Sequence, residues 1–299
     1  MKNKHLEHPE DSILLGKDSA LNVINFLAQK NSKLTVKYDG APAIIFGSNP
    51  ENGKFFVGTK SVFNKKKIKI NYNHFDIAQN HDGKVAEILH VAYQCLPRIA
   101  GVVQGDFIGF GGNDFYKPNT IEYQFDSIVQ EDFIFAAHTS YTGDNLKDAV
   151  AHFEVPALSA EKVKFLSVDA DIFMHSVRVQ LLCVAAKLLT RFISFPDAKQ
   201  AAQAKITINS YIRRGEKLNP WKLAMDTDCD ARLFRLYNLI AKIKELLMEN
   251  VIADDNVRCF IDKKESTHEG YVMTNQFGTF KLVNRREFSY NNFNLPKDW

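Results

Sequence analysis

Several short stretches carry side chains whose chemistry is out of keeping with the strands around them. Lys37-Tyr38-Asp39-Gly40 places a lysine at the end of the β-like run Leu34-Thr35-Val36, just before a second apolar stretch. Gly105-Asp106-Phe107-Ile108-Gly109 sets a carboxylate among glycines, and Glu269-Gly270-Tyr271-Val272 opens another strand with a second one. Lys281-Leu282-Val283 puts a lysine inside an apolar run. An amine whose pKa is lowered by desolvation or by neighbouring cations attacks electrophiles and holds them covalently. Lysines also neutralise phosphate oxygens, and carboxylates hold Mg²⁺ or ribose hydroxyls. Two lysines and two carboxylates on short strands therefore suit a nucleoside triphosphate site. Taken singly, each is also an ordinary strand-edge charge, and Lys37 an ordinary lysine beside an Asp-Gly corner.

Such residues need sheets to hold them. Asp18-Ser19 followed by Ala20, Leu21, Val23, Ile24 and Leu27 predicts a capped amphipathic helix. The period then changes: Leu34 to Tyr38, Ala43 to Gly47 and Lys54 to Thr59 read as strands parted by Asp39-Gly40 and Asn49-Pro50-Glu51-Asn52-Gly53. Lys84 to Leu96 returns to helix, and Val102 to Ile108, Thr120 to Phe125 and Phe133 to Thr139 are strands again. From about Ser159 to Asn250 the chain reads as mostly helical, with Ile172 to Ile193 and Ala231 to Glu249 the strongest candidates. Strand patterns resume at Val257 to Ile261, Gly270 to Thr274 and Thr279 to Val283. The expected fold class is thus α+β: a sheet-rich unit over 1–154 and 253–299, interrupted by a helical insert domain over 155–252.

Composition sets the outer bounds. With 299 residues, 45% of them hydrophobic and 24% charged, the chain has material for a real core, which excludes wholesale disorder. A net charge of +3 neither demands nor excludes nucleic acid. No apolar run approaches the roughly 20 residues of a membrane span, and Met1 to Glu10 is too polar for a secretory signal. Cys95, Cys183, Cys229 and Cys259 lie far apart and form no CxxC pair. They read as reduced thiols of a cytoplasmic protein. The histidines show no zinc-ligand spacing. Lys65-Lys66-Lys67-Ile68-Lys69 is a basic run able to meet phosphates or simply to stay solvated.

The order of these stretches resembles the covalent nucleotidyltransferase superfamily of DNA ligases, RNA ligases and capping enzymes. Lys37-Tyr38-Asp39-Gly40 matches its first motif, whose lysine becomes lysyl-nucleotide. Thr59-Lys60-Ser61 looks like the motif that follows, and Gln104-Gly105-Asp106-Phe107-Ile108-Gly109 is similar to the third. Phe133-Ile134-Phe135 stands where the superfamily keeps an aromatic base-stacking strand. His268-Glu269-Gly270-Tyr271-Val272 resembles the fourth motif, and Phe280-Lys281-Leu282-Val283-Asn284 with Phe288 the fifth motif of RNA ligases. The opening His5-Leu6-Glu7-His8-Pro9-Glu10-Asp11 is similar to a phage-encoded, RNA-ligase-like group.

That resemblance implies a ligase-like adenylation core of twisted antiparallel sheets. Lys37 would attack the α-phosphate of ATP, forming lysyl-AMP with Mg²⁺, and the adenylate would pass to an RNA or DNA end or nick, RNA being favoured. Glu269 would help hold the metal, Lys281 would neutralise the α-phosphate, and Asp39, Gly40, Lys60 and Asp106 would line the nucleotide. Phe135, or Phe133 on the same strand face, would stack on adenine. Departures are visible: Asp106 replaces the usual glutamate, and Val283 stands where a second fifth-motif lysine is usual, with Arg285 and Arg286 just beyond. With 16 residues after Val283, an OB-fold after the fifth motif is not expected. A capping-type GMP transferase and a non-catalytic nucleic-acid-binding or virion protein remain open as other readings. Polynucleotide handling then falls to the insert, through Arg178, Lys187, Arg191, Arg213, Arg214 and Lys217, unless that block is a docking domain.

Overall fold

The computed structural model describes residues 6–172, 176–253 and 257–295. Nine α-helices and fifteen β-strands are found among the described residues, in three sheets. The mixed α+β class expected from the sequence holds. Pairing is antiparallel throughout the sheets, except that Val163–Phe165 runs parallel to Phe133–Thr142.

Five strands form the first sheet, in the order Val251–Ala253, Asp169–Ile172, Lys33–Lys37, Gly270–Asn275, Gly278–Val283. Alternation along Lys33–Lys37 splits its side chains between two environments. Leu34 and Val36 are buried, and with Met273 and Leu282 they join one apolar cluster with Val23, Ile24 and Leu27 of helix Lys17–Ala28. The same cluster takes in Val179, Cys183 and Ala186 of helix Val177–Leu189 and Leu233, Tyr237, Ile240 and Leu247 of helix Ala231–Met248. The helical stretch therefore shares a core with the back of this sheet. It leaves the sheet through Asp169–Ile172 and returns through Val251–Ala253, and these two strands pair with each other, Ala170 opposite Ala253.

That exit strand corrects one expectation. Ile172 to Ile193 does not form one helix: Ile172 closes a strand, and the helix begins at Val177 behind a Ser176 cap. Residues 173–175 of that expectation, and His5 of the opening motif, lie outside the described residues. Apolar spacing alone cannot separate a buried strand end from a helix start, whereas the cross-strand pairing at Ala170 does. Helices Ala198–Arg213 and Pro220–Thr227 begin where their caps dictate, at a capping box of Asp197 with Gln200 and at Asn219 before Pro220. No helix among the described residues is long and apolar enough to cross a membrane.

The second sheet has Phe55–Gly58, Ala43–Ser48, Val102–Phe110, Phe133–Thr142 and Val150–His152 in that order, with Val163–Phe165 alongside Phe133–Thr142. Helix Gly83–Cys95 covers one face through Ile88, Leu89 and Ala92, against Phe46, Phe107, Phe133 and Phe135. A third sheet, Lys264–Ser266, Val257–Ile261, Glu122–Phe125 and Phe115–Tyr116, supports the loop after Lys37 from below. Tyr123 on that sheet accepts a hydrogen bond from the Asp39 amide at 2.6 Å.

Candidate functional site

A cleft of about 730 Å³ opens between the uncovered faces of the first two sheets. Register explains what lines it. Lys37 pairs with Gly270, and Val272 pairs with Lys281, so Lys37, Glu269 just before its strand, and Lys281 come from three adjacent strands. Across the gap, Ala43, Asp106 and Ala136 stand side by side on three strands of the second sheet. Lys60 lies exposed at the mouth, at the start of the one-turn helix Lys60–Phe63 that Thr59 caps. Gly40 is also on the wall. The structure thus gathers Lys37, Gly40, Lys60, Asp106, Glu269 and Lys281 around one cavity.

The charges there are coupled. Lys37 Nζ donates a short hydrogen bond to Glu269 Oε2, and both side chains are largely withdrawn from solvent. Burial pushes the Glu269 carboxyl up to about 7 despite the opposing pull of Lys37. Burial alone would lower the Lys37 ammonium, but Glu269, Asp106 and Asp39 outweigh it and raise the lysine above its ordinary value. Burial and the facing Lys37 charge hold Lys281 below its own. As it stands, Lys37 is the protonated member of an ion pair and Lys281 the more readily neutralised amine.

Two glycines are required by close approach. A Cβ on Gly40 would lie 2.7 Å from Asp106 Cβ and 2.7 Å from the Phe107 carbonyl oxygen. A Cβ on Gly270 would lie 2.0 Å from the Leu282 carbonyl oxygen, at a φ of +155°. Gly40→Ala should therefore force the Lys37 loop away from Asp106 and cost about 1–3 kcal/mol. Calorimetry would register a lower unfolding midpoint, and an unchanged midpoint would show that the loop yields freely.

Other expected site residues are placed elsewhere. Asp39 is buried behind the cleft, its carboxylate accepting from Asn119 Nδ2 at 2.7 Å and from the Thr120 and Ile121 amides at 2.8 and 3.0 Å. Burial raises its pKa, against those hydrogen bonds. It fixes the turn that delivers Lys37. Phe135 and Phe133 are both 0% exposed in the core under helix Gly83–Cys95, so neither can reach a ligand in the cleft. Strand parity is the reason: Ala136, one residue on, takes the cleft face. Val283 is buried in the main core. Arg285 turns inward as well, donating to Asp11 Oδ1 at 2.7 Å and to the Tyr237 hydroxyl at 2.6 Å, so it does not line the cleft, although its charge helps hold Lys281 down.

His138 and Tyr141, which the sequence reading passed over, line the cleft too. A register shift opposite Gln104 and Gly105 leaves His138 as the extra residue of a β-bulge, so His138 and Thr139 both reach the cleft. His138 Nε2 stands 3.7 Å from Asp106 Oδ2, and its Nδ1 is 2.7 Å from Thr139 Oγ1. The only signal in the sequence was a histidine directly after the apolar run Phe133 to Ala137. Tyr141 donates to Gln104 Oε1 at 2.7 Å.

No group of three or more His, Cys, Asp or Glu side chains converges as a metal site among the described residues. Mg²⁺ bound with a nucleotide usually takes one or two carboxylates and fills its remaining positions with phosphate oxygens and water. Glu269 and Asp106 on one cavity fit that lesser requirement.

Among curated proteins and among solved structures, none matches the chain. The family model described as a family of unknown function, DUF6267, matches residues 3–230 and 221–297, and with them both walls of the cleft. The chain, with its lysine–carboxylate cleft, belongs to the DUF6267 family.

Proposed function

We propose that this protein is a nucleotidyltransferase that forms lysyl-AMP on Lys37 and passes the adenylate to a polynucleotide end, as an ATP-dependent ligase with RNA preferred to DNA. The observation that carries this reading is the convergence of Lys37, Glu269, Asp106, Lys281 and Lys60 on one cleft from two sheets. Two half-buried carboxylates and three lysines around such a space suit a nucleoside triphosphate with its metal ion. In this reading the two sheets and the cleft are a ligase-like adenylation core, and the helices from Val177 to Met248 are the insert, the strands Val163–Phe165 and Asp169–Ile172 belonging to the core sheets.

The step is a phosphoryl substitution. Lys37 Nζ forms a P–N bond to the α-phosphorus, the bond to pyrophosphate breaks, and the amine must lose a proton to do so. Lys281 and Lys60 offset the charge that accumulates on the phosphate oxygens. Mg²⁺, when bound, neutralises phosphate charge, and Glu269 and Asp106 are the carboxylates that would hold it. Glu269 cannot hold a cation and the Lys37 ammonium equally well, so engaging that carboxylate removes the contact that keeps the lysine protonated. With Phe133 and Phe135 buried, the aromatic rings on the cleft wall are those of Tyr38, Tyr141 and Phe153, and of these Phe153 is the half-buried one that offers a surface to a base.

Radiolabelled ATP or GTP, labelled at the α-phosphate and supplied with Mg²⁺, tests this directly. Label should survive denaturation and map to Lys37. Its yield should climb as pH rises through about 7, because Glu269 gains there the charge with which it would hold Mg²⁺ in place of the Lys37 ammonium. Glu269→Gln, which has no such ionisation, should give a small yield lacking that rise. Label from GTP alone would redirect the reading to guanylate transfer, and no label from either nucleotide would overturn it.

A further inference from the structure

Helix Val177–Leu189 presents an uncovered apolar stripe. Val177 is 75% exposed, Leu181 64%, Val184 56% and Leu188 49%, and Phe192 in the turn that follows is 63% exposed. Their spacing of four, three and four residues is that of alternating a and d positions in a heptad. The opposite face is committed, with Val179, Cys183 and Ala186 in the main core, and on the Lys187 flank Gln180 donates to the Ala28 carbonyl. The helix is thus anchored from behind, and rotation cannot bury the stripe.

The rims of the stripe carry charge of one sign. At 3.6 residues per turn, Arg178 falls on one side and Lys187 and Arg191 on the other. No Asp or Glu occurs between Ser176 and Pro196. None of the three cations forms an ion pair among the described residues. Two of the other basic residues expected on this block are already engaged: Arg213 sits 4.4 Å over the Phe293 ring, and Arg214 bonds Glu216.

We propose that this face docks an acidic amphipathic helix of a partner protein, its apolar residues seating on Val177, Leu181, Val184 and Leu188 and its flanking carboxylates meeting Arg178, Lys187 and Arg191. Charge selects the occupant. A second copy of the chain would set cations against cations in either orientation, which costs pairing energy at e and g positions. The stripe is also narrow, about 80° of arc, which suits a helix–helix seam better than the broader face of a helix lying in a membrane.

The probe is a fluorescein-labelled three-heptad peptide with Leu at a and d and Glu at e and g, titrated against the full chain by anisotropy. It should bind at least about tenfold more tightly than the same peptide with Lys at e and g. Leu181→Glu, at an exposed position, should abolish binding while leaving the unfolding midpoint unchanged. The triple charge reversal Arg178→Glu, Lys187→Glu, Arg191→Glu should invert the preference to the Lys peptide. Equal affinity for both peptides, or none for either, overturns the proposal. So does a concentration-dependent dimer in light scattering that Leu181→Glu dissolves, which would make the occupant a second copy. Sedimentation with phosphatidylglycerol vesicles, lost in the same variant, would make it a membrane. Labelling at Lys37 is indifferent to all these outcomes.

Discussion

Lys37→Arg is expected to eliminate the covalent nucleotide adduct, a loss on the order of 10³-fold or more, since the attacking atom itself is disabled. Arginine keeps a cation opposite Glu269, so the buried carboxylate retains a partner and the cleft its charge balance. What changes is reactivity: a guanidinium stays protonated at any working pH and supplies no lone pair to the α-phosphorus. A methionine or alanine there would mix two effects, lost chemistry and an orphaned Glu269. The arginine variant separates them. Intact mass after incubation with ATP or GTP and Mg²⁺ is the readout, beside a melting curve close to the parent's. A full-yield adduct in Lys37→Arg would falsify the assignment of the nucleophile.

Lys244→Ala should be strongly destabilising, costing about 3–5 kcal/mol, because it strands a buried carboxylate. Lys244 and Glu10 are paired with side chains 2% exposed each, and the second Glu10 oxygen has no hydrogen-bond partner among the described residues. The pair sits where the chain's opening segment crosses helix Ala231–Met248. Next to it, Asp11 accepts from both Arg285 and Tyr237. Burial and the surrounding cations keep His8 neutral there. The double replacement Glu10→Leu with Lys244→Met removes both charges and should return stability to within about 1 kcal/mol of the parent or above it. Chemical denaturation of the two variants measures the contrast, and equal losses in both would place the cost in packing. The contact matters to the cleft, since the Lys281 amide donates to the Glu7 carbonyl at 3.1 Å. Loosening the opening segment should therefore lower labelling at Lys37 as well.

Much of this protein is legible along the chain. Periodicity located Lys33–Lys37, Ala43–Ser48, Gly83–Cys95, Ala231–Met248 and Val257–Ile261 to within a residue or two, because each has one buried face and its apolar residues must repeat at the period of its backbone. Charged residues set into apolar strands, Lys37, Asp106, Glu269 and Lys281, stood out for the same reason. A strand that buries one face leaves the other for whatever chemistry the chain performs. The chain alone does not tell which of two neighbouring residues takes which face once the register slips. Alternation from Ala136 puts His138 in the cleft and sends Phe133 and Phe135 into the core, and the bulge after it turns Thr139 and Tyr141 to the cleft as well. Nor does it tell what an arginine near a site will pair with: Arg285 lies two residues beyond Val283, yet Asp11 and Tyr237, remote in sequence, draw it inward. Local periodicity is fixed by backbone geometry over a few residues and so is written in the sequence. Facing, pairing and pKa depend on groups far apart along the chain, and only folding decides which of them meet.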